Sequence, residues 1–231
     1  ALIGATGHTV HRLGDLASAH RYERNKKATS ASAFRYVQIG DIDVELGRIK
    51  SFRSFTGADA PNNARRLMSY GDVLVSTRRP TRGAIVAVPA EFEGHICTVF
   101  FTTLRVANWK VLEPRYLALF LRTSLARFQF QSMITETAYP VISDDDVESM
   151  TVLLPPLDEQ HRLVEAYDTA ISAYFSSINA AASAMVGARQ RVEDAVVGRD
   201  AERLAVALVG LVHEVVDEEI EVEEESGGHV E

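Results

Sequence analysis

The stretch LPPLDEQHRLVEAYDTAISAYFSSINAAASAMVGARQRVEDAVV (residues 154–197) separates two parts of the sequence that differ in character. Before it, short apolar runs alternate with turn residues. After Pro155-Pro156 the stretch is rich in alanine and contains a single glycine. This composition favours a helix that begins just after the prolines. We therefore predict a helical arm from Asp158 to Val197, about 60 Å long at ~1.5 Å per residue.

Apolar residues recur along this arm at alternating spacings of four and three residues. Such a heptad pattern, sustained over four repeats, is typical of a two-helix coiled coil. A seam of this length on a lone helix would be exposed to water, so we predict a homodimer through the arm, most simply antiparallel. The seam consists of Tyr167, Ile171, Tyr174, Ile178, Ala181, Met185, Ala188, Val192 and Ala195.

The end of the sequence differs from the arm in both pattern and charge. Gly198 and Asp200 have the pattern of a helix stop and a new N-cap, and residues 201–216 are a candidate second helix. From Glu214 onward there are nine acidic residues and no lysine or arginine, which predicts a solvated, disordered tail. The expected regions are a domain at 1–156, the arm at 157–213 and the acidic tail at 214–231.

The region before the prolines predicts an α+β domain of mixed strands and helices. One long helix interrupts its strands, with Pro114 at the first position and Leu117, Phe120, Leu121, Leu125 and Phe128 on one core-facing stripe. The predicted strands, rich in Val, Ile and Phe, are Arg35–Ile39, Asp72–Ser76, Ala84–Val88, Ile96–Phe101 and Met150–Leu154.

Composition excludes several classes of protein. With 46% hydrophobic and 24% charged residues, the 231-residue chain is neither collagen nor fully disordered. The single cysteine, Cys97, excludes an internal disulfide or a structural zinc site and fits a reducing cytoplasm. Apolar runs are too short to span a bilayer and no signal peptide is evident, so we expect a cytoplasmic location without a membrane. Since Ala1 rather than Met opens the chain, we expect a processed chain or a fragment.

The net charge of −8 is unevenly distributed. Without the acidic tail the chain carries 24 basic and 23 acidic residues, and residues 1–157 alone have a net charge of +4. The basic character of the first two thirds is a mild indication of an anionic partner.

No motif in the sequence assembles a reaction centre. Gly4-Ala5-Thr6-Gly7 lacks the third glycine and the preceding strand of a dinucleotide site. Asp144-Asp145-Asp146 follows Ser143, which favours a short capped helix over a metal site. Pro155-Pro156 is flanked by leucines and lacks the Asn/Asp-Pro-Pro-aromatic order of an adenine methyltransferase. His161 is expected on the helix surface.

Basic loops that also carry hydroxyl groups indicate nucleic-acid binding. Arginine binds phosphate or reads guanine with two hydrogen bonds, and hydroxyls donate to phosphate oxygens. Each loop alone is more typical of a solvated surface, but several in one mildly basic domain favour a shared interface. The candidate DNA-binding residues are Arg24, Lys26, Lys27, Asn62, Asn63, Arg65, Arg66, Ser76, Thr77, Arg78, Arg79, Thr81, Arg82, Thr135, Thr137 and Tyr139.

The order of motifs resembles the specificity subunit of type I restriction-modification systems over about residues 11–197. The segment Leu154–Val164, LPPLDEQHRLV, is the most specific match and is similar to the family's "LPPLxEQxxIV". The segment 71–76, GDVLVS, is next and resembles "GDILxS". The other matches are LGD at 13–15, YVQIGDI at 36–42, the loop 78–83, PRYL at 114–117 and PVIS at 140–143.

This resemblance implies a double-stranded DNA-reading module for restriction and antiviral defence, not an enzyme. In the family, antiparallel helices hold two recognition domains apart, and methyltransferase subunits dock on that scaffold. S-adenosylmethionine, Mg and ATP would belong to the partner subunits, with no cofactor in this chain. Here one domain and one main helix stand in place of two, which implies a half-size subunit that pairs with a second copy, or a piece of a longer chain.

Two alternatives remain open at this point. The chain could be the C-terminal recognition domain of a fused adenine methyltransferase/restriction polypeptide, which would itself be non-enzymatic. It could also be a helical scaffold or an inhibitor whose acidic tail mimics DNA.

Overall fold

Short strands and helices alternate irregularly along the chain in a computed structural model, which describes residues 8–21, 33–57, 59–134, 140–196 and 198. The strands are β1 Thr9–Arg12, β2 Ala17–Ala19, β3 Phe34–Val37, β4 Ile42–Asp43, β5 Arg48–Ile49, β6 Arg53–Phe55, β7 Ala64–Leu67, β8 Val73–Ser76, β9 Ile85–Ala87, β10 Ile96–Thr98, β11 Phe101–Val106 and β12 Thr151–Leu154. The helices are α1 Pro114–Leu121, α2 Ser124–Met133, α3 Asp144–Ser149 and α4 Leu157–Val196.

Two four-stranded sheets form the centre of the domain. The first is antiparallel, in the order β2-β11-β8-β9, and the second has the order β6-β3-β10-β7 with β3 parallel to β10. Two smaller ladders, β1-β12 and β4-β5, complete the pairing among the described residues. The prediction of mixed strands and helices is confirmed.

Side chains alternate between the two faces of the first sheet along each strand. Both faces are buried, each against a different cluster of apolar residues. In β8, Val73 and Val75 join the core that packs against helices α1, α2 and α3. Leu74 points to the other face and packs in the cluster with Met68 and Cys97 of the second sheet. This two-sided burial explains the continuous apolar run of GDVLVS.

The glycine and aspartate that open this segment have separate structural roles. Gly71 has φ of +80°, and a Cβ there would lie 2.2 Å from the Trp109 ring, so only glycine fits. Asp72 is buried, and its carboxylate accepts from the backbone N–H of Ser69 at 2.8 Å. It also accepts from the Arg105 guanidinium through both oxygens, at 2.8 and 2.9 Å. The segment therefore fixes one end of β8.

Two predicted elements are each split in the structure. The predicted strand Ile96–Phe101 is divided between β10 and β11, which belong to different sheets. The long helix after Pro114 is two helices, because the Thr123 hydroxyl accepts from the Ala126 backbone N–H at 3.3 Å and caps a new helix. The break changes which side faces the core, so the predicted burial of Leu125 and Phe128 is wrong. Ala126 and Phe130 are buried instead.

The short helix after Ser143 is confirmed as α3. The Ser143 hydroxyl accepts from the backbone N–H of Asp146 at 3.1 Å, and the Asp146 carboxylate accepts from the Ser143 N–H at 2.7 Å. These reciprocal bonds form a capping box.

The predicted long helix is confirmed as α4. The fully buried Gln160 amide accepts from the Glu113 N–H and donates to the carbonyls of Val111 and Pro155, all at 2.9 Å. These three hydrogen bonds explain why a glutamine stands at position 160, four residues after Pro156. The chain divides into two compact units, residues 1–171 and 172–231, so the first four turns of α4 lie in the first unit. No helix among the described residues is long and apolar enough to cross a bilayer.

Candidate nucleic-acid interface

The loop between β8 and β9 has a constrained backbone that presents arginines. Arg79 has φ of +50°, the one positive φ outside glycine among the described residues, and residues 80–82 form a 3-10 turn. Gly83 ends that turn in the left-handed region. Both Arg79 and Arg82 are exposed. A strained, non-glycine residue in an exposed turn is a feature that clusters at ligand-contacting sites.

The turn between β10 and β11 anchors the beginning of this loop. The backbone N–H and the hydroxyl of Thr77 both donate to the Phe100 carbonyl at 2.9 Å. The Arg78 guanidinium carbon lies 3.3 Å from the centre of the Phe100 ring, a stacked arrangement. The sequence does not identify Phe100 as a site residue, because a phenylalanine within the predicted strand Ile96–Phe101 is indistinguishable from a core residue.

A second candidate loop meets the same turn. The Asn63 carbonyl accepts from the backbone N–H of Val99 at 3.0 Å, one residue before Phe100. Asn62 and Arg65 beside it are exposed, whereas the Asn63 side chain accepts from the Tyr36 hydroxyl at 3.0 Å. The structure therefore brings the loops around Asn62 and Thr77 together.

A third segment is tied to the arginine loop through the backbone. The Arg79 N–H donates to the Pro140 carbonyl at 2.9 Å, and the Ile142 N–H donates to the Thr77 carbonyl at 3.0 Å. Arg78 forms a bridge with Val141 between these bonds. The candidates Thr135, Thr137 and Tyr139 lie outside the described residues, as do Arg24, Lys26 and Lys27.

A small cavity opens on the arginine loop. It has a volume of about 290 Å³ and is lined by Ile39, Arg78, Arg79, Arg82 and Ala84. Three guanidinium-bearing residues around one cavity favour an anionic group such as a phosphate oxygen. Thr81 lies half-buried in the same loop.

Besides Asn63 and Thr77, the candidate side chains of Ser76 and Arg66 also have internal partners. Ser76 is buried, and its hydroxyl donates to the Arg78 carbonyl at 2.7 Å, which holds the turn in place. The mostly buried Arg66 side chain places Nη2 3.4 Å from the Asp144 carboxylate. As a correction, both are removed from the candidate surface and given structural roles, because neither can reach a ligand without breaking these contacts.

Asp144 has a larger role than the predicted helix start. Its Oδ1 accepts from the Thr102 hydroxyl at 2.6 Å, and its Oδ2 accepts from Arg21 Nε at 2.7 Å. Burial by itself would raise the pKa of Asp144, but the Thr102 hydrogen bond and the charges of Arg66 and Arg21 hold it below its usual value. In the described part of the chain, no group of three or more His, Cys, Asp or Glu side chains could hold a metal ion.

The predicted seam of α4 is in two different environments. Tyr167 and Ile171 are half-buried and line a cavity of about 440 Å³ in the domain, and the Tyr167 hydroxyl accepts from Arg122 at 3.0 Å. Both side chains therefore contact their own domain, and their assignment to the helix interface stays a prediction. Along the rest of the seam the side chains are exposed, namely Tyr174, Ile178, Ala181, Met185, Ala188, Val192 and Ala195.

Comparison with known proteins gives consistent matches to one family. The sequence model described as "Type I restriction modification DNA specificity domain" matches residues 8–180. The Type I restriction enzyme HindI specificity subunit of Haemophilus influenzae is 26% identical over 110 residues, which are 46% of this chain and 24% of that protein.

Solved structures give the same result. The HsdS subunit from Thermoanaerobacter tengcongensis aligns with a TM-score of 0.66 and 29% identity, over 84% of this chain and 49% of that chain. A chain from a study of complex assembly and conformational transition of the type I R-M system aligns with a TM-score of 0.63 and 29% identity, over 80% and 46%. This chain spans about half the length of these two proteins and about a quarter of the HindI subunit. Because the family match covers well over half of its residues, the chain belongs to the family of type I restriction-modification DNA specificity domains.

Proposed function

We propose that this chain recognises a specific sequence of double-stranded DNA as the specificity component of a type I restriction-modification system. The observation that carries the proposal is the meeting of two polar loops, at Asn62 and at Thr77 to Arg82, at the turn that contains Phe100. A protein that reads DNA needs phosphate contacts and base contacts within one surface, and this cluster supplies both chemistries.

Within this surface the residues divide by chemistry. Arg79 and Arg82 are exposed and line the 290 Å³ cavity, so they contact backbone phosphates and fix the register. The exposed Asn62 amide has the paired donor and acceptor that reads adenine in the major groove.

The chain works with partners that supply the chemistry. A methyltransferase subunit binds S-adenosylmethionine, restriction subunits use Mg and ATP, and this cytoplasmic chain positions them on DNA. The likeness to a chain from a study of type I R-M complex assembly supports this role.

A second copy of the chain completes the recognition unit through α4. The exposed fractions of Ile178 and Met185 are 43% and 74%, which is costly for aliphatic side chains on a solvated helix. Antiparallel pairing of two α4 helices covers this seam and places two recognition domains at opposite ends, as a split DNA site requires.

Salt-dependent binding tests the proposed function. Methylated sites sequenced in cells that carry the gene and its partners give the recognition sequence. Fluorescence anisotropy then compares a labelled duplex containing that sequence with a scrambled duplex over a range of salt. The triple variant Arg78→Ala, Arg79→Ala and Arg82→Ala is expected to bind roughly tenfold or more weakly, with a salt slope lower by about 0.9 for each phosphate that the variant no longer neutralises.

The matched control removes the same charge elsewhere. Lys110→Ala, Arg127→Ala and Arg162→Ala change three exposed cations outside the candidate surface and are expected to leave affinity near that of the wild type. Wild-type affinity and preference in the Arg78 triple variant would show that the DNA surface is misplaced. Absence of any sequence preference in the wild-type chain, tested with its partner subunits, would refute the proposed function.

A further inference from the structure

The buried carboxylate of Asp144 joins both sheets and a helix. Its side chain is 6% exposed at the start of α3 and contacts Thr102 on β11 of the first sheet. It also contacts Arg66 on β7 of the second sheet and Arg21, which follows β2. One charged group thus connects segments that are distant in sequence.

Asp144 and one of its partners lie beside described segments of the candidate DNA surface. Arg66 is adjacent to the exposed Arg65. Asp144 itself follows Ile142, whose backbone N–H donates to the Thr77 carbonyl at the start of the arginine loop. A shift of this carboxylate would therefore be transmitted to two segments of the candidate DNA surface, the one at Arg65 and the arginine loop.

We infer that Asp144 is a positioning residue that sets the relative geometry of the DNA-contacting segments and thereby the sequence discrimination of the chain. This inference rests on the proposed function and deepens it. Asp144 does not need to touch DNA, because a misplacement of the loops reduces base readout while phosphate attraction persists.

Asp72 and Arg105 form another buried aspartate–arginine pair in the same domain, and its role is only structural. It is equally buried, and its partner Arg105 lies on the neighbouring strand β11, so the pair links β8 and β11 within one sheet. Asp72 also lies at the end of β8 that is opposite to the arginine loop. The pair supports the fold without a direct link to the candidate surface.

Thr102 and its neighbour allow a sharp test, because both are fully buried and cannot contact DNA. Thr102→Val removes the hydrogen bond to Asp144 with almost no change of shape, and Thr102→Ser keeps it. Thr103→Val is the matched control, since Thr103 points to the opposite face of β11, towards Cys97. Asp144→Asn and its control Asp72→Asn form a second pair.

The measurement is the ratio of affinities for the cognate and the scrambled duplex at one salt concentration, with each variant shown by circular dichroism to be folded. Thr102→Val and Asp144→Asn are expected to lower this ratio by roughly tenfold, an effect comparable to that of one mismatched base pair in the site. Affinity for the scrambled duplex is expected to change little. Thr102→Ser, Thr103→Val and Asp72→Asn are expected to keep the wild-type ratio.

Two results would overturn the inference. One is a wild-type ratio in Thr102→Val, which is the variant least liable to unfold. The other is an equal decrease of the ratio in Thr102→Val and Thr103→Val, which would indicate general destabilisation. A wild-type chain with no sequence preference would refute the proposed function itself, and the role of Asp144 with it.

Discussion

At the scale of single residues, the domain uses buried aspartates as acceptors for several donors at once. Asp144 satisfies a hydroxyl and two guanidinium groups, and Asp72 satisfies a guanidinium and a backbone N–H. A buried carboxylate is tolerated only when it is paired and hydrogen-bonded in this way. The ionised form of Asp144 is consequently the form that stabilises the fold.

The stability contributed by Asp144 is expected to depend on pH. Its contacts lower the pKa of Asp144 below the usual 3.8, so on acidification the unfolded chain binds the proton first. The contribution is therefore complete above about pH 4 and is lost as the pH falls through the folded-state pKa. At pH 7, Asp144→Asn is expected to lower the free energy of unfolding by about 1.5–3 kcal/mol, the value of hydrogen bonds to a charged group.

Urea unfolding of the wild type and Asp144→Asn, followed by circular dichroism from pH 7 to pH 3, measures this difference. The gap between the two proteins should narrow on acidification. A gap that is constant over this range would show that the carboxylate charge of Asp144 does not stabilise the fold.

The sequence predicted the chemistry of individual side chains better than their partners. Ser143 was predicted as an N-cap because its signal lies within four residues. The network of Asp144 was missed because Arg21 and Arg66 are 123 and 78 positions away in the chain. Likewise nothing local in the sequence distinguishes the buried Ser76 from the exposed arginines that follow it. Long-range contacts, rather than residue type, decide which candidates face a ligand.

At the scale of elements, periodicity predicted α4 well but could not predict what covers its apolar residues. Heptad spacing is the same whether a side chain meets its own domain, as Tyr167 does, or points outward, as Ile178 does. For the helix after Pro114, periodicity fails to predict the element itself. The spacing of apolar residues continues from Leu117 to Phe128, and it gives no sign that the helix breaks at Thr123. There a single capping hydroxyl outweighs the apolar pattern.

The outward part of the α4 seam predicts association of two chains. Ile178→Asp is expected to place a charge in the paired seam and to dissociate the dimer, because an unpaired charge is strongly unfavourable in an apolar interface. Ala180→Asp is the control, since it adds the same charge two residues away and off the seam. Light scattering at micromolar concentration should give twice 25.4 kDa for the wild type and the control, and 25.4 kDa for Ile178→Asp. A wild-type mass of 25.4 kDa would exclude the homodimer.

At the scale of the whole molecule, the net charge differs in sign between the first two thirds of the chain and its end. The overall charge of −8 is due to the nine acidic residues from Glu214 onward, which lie outside the described residues, while residues 1–157 carry +4. A low isoelectric point, about 5.4, is therefore compatible with DNA binding by the domain.

The proposed function leads to a last prediction, that the purified chain alone neither methylates nor cleaves DNA. The proline pair at 155–156 is flanked by leucines, and its carbonyl at Pro155 accepts from the Gln160 amide, so this segment secures the start of α4. With S-adenosylmethionine, Mg and ATP, the chain should show no transfer of labelled methyl groups and no cutting. Adding the methyltransferase subunit should produce methylation, and the Arg78, Arg79 and Arg82 triple variant should reduce it while Lys110, Arg127 and Arg162 to alanine should not. Activity that co-purifies with the chain and is abolished by a point mutation in it would contradict this assignment, because recognition without chemistry is what the proposed role requires.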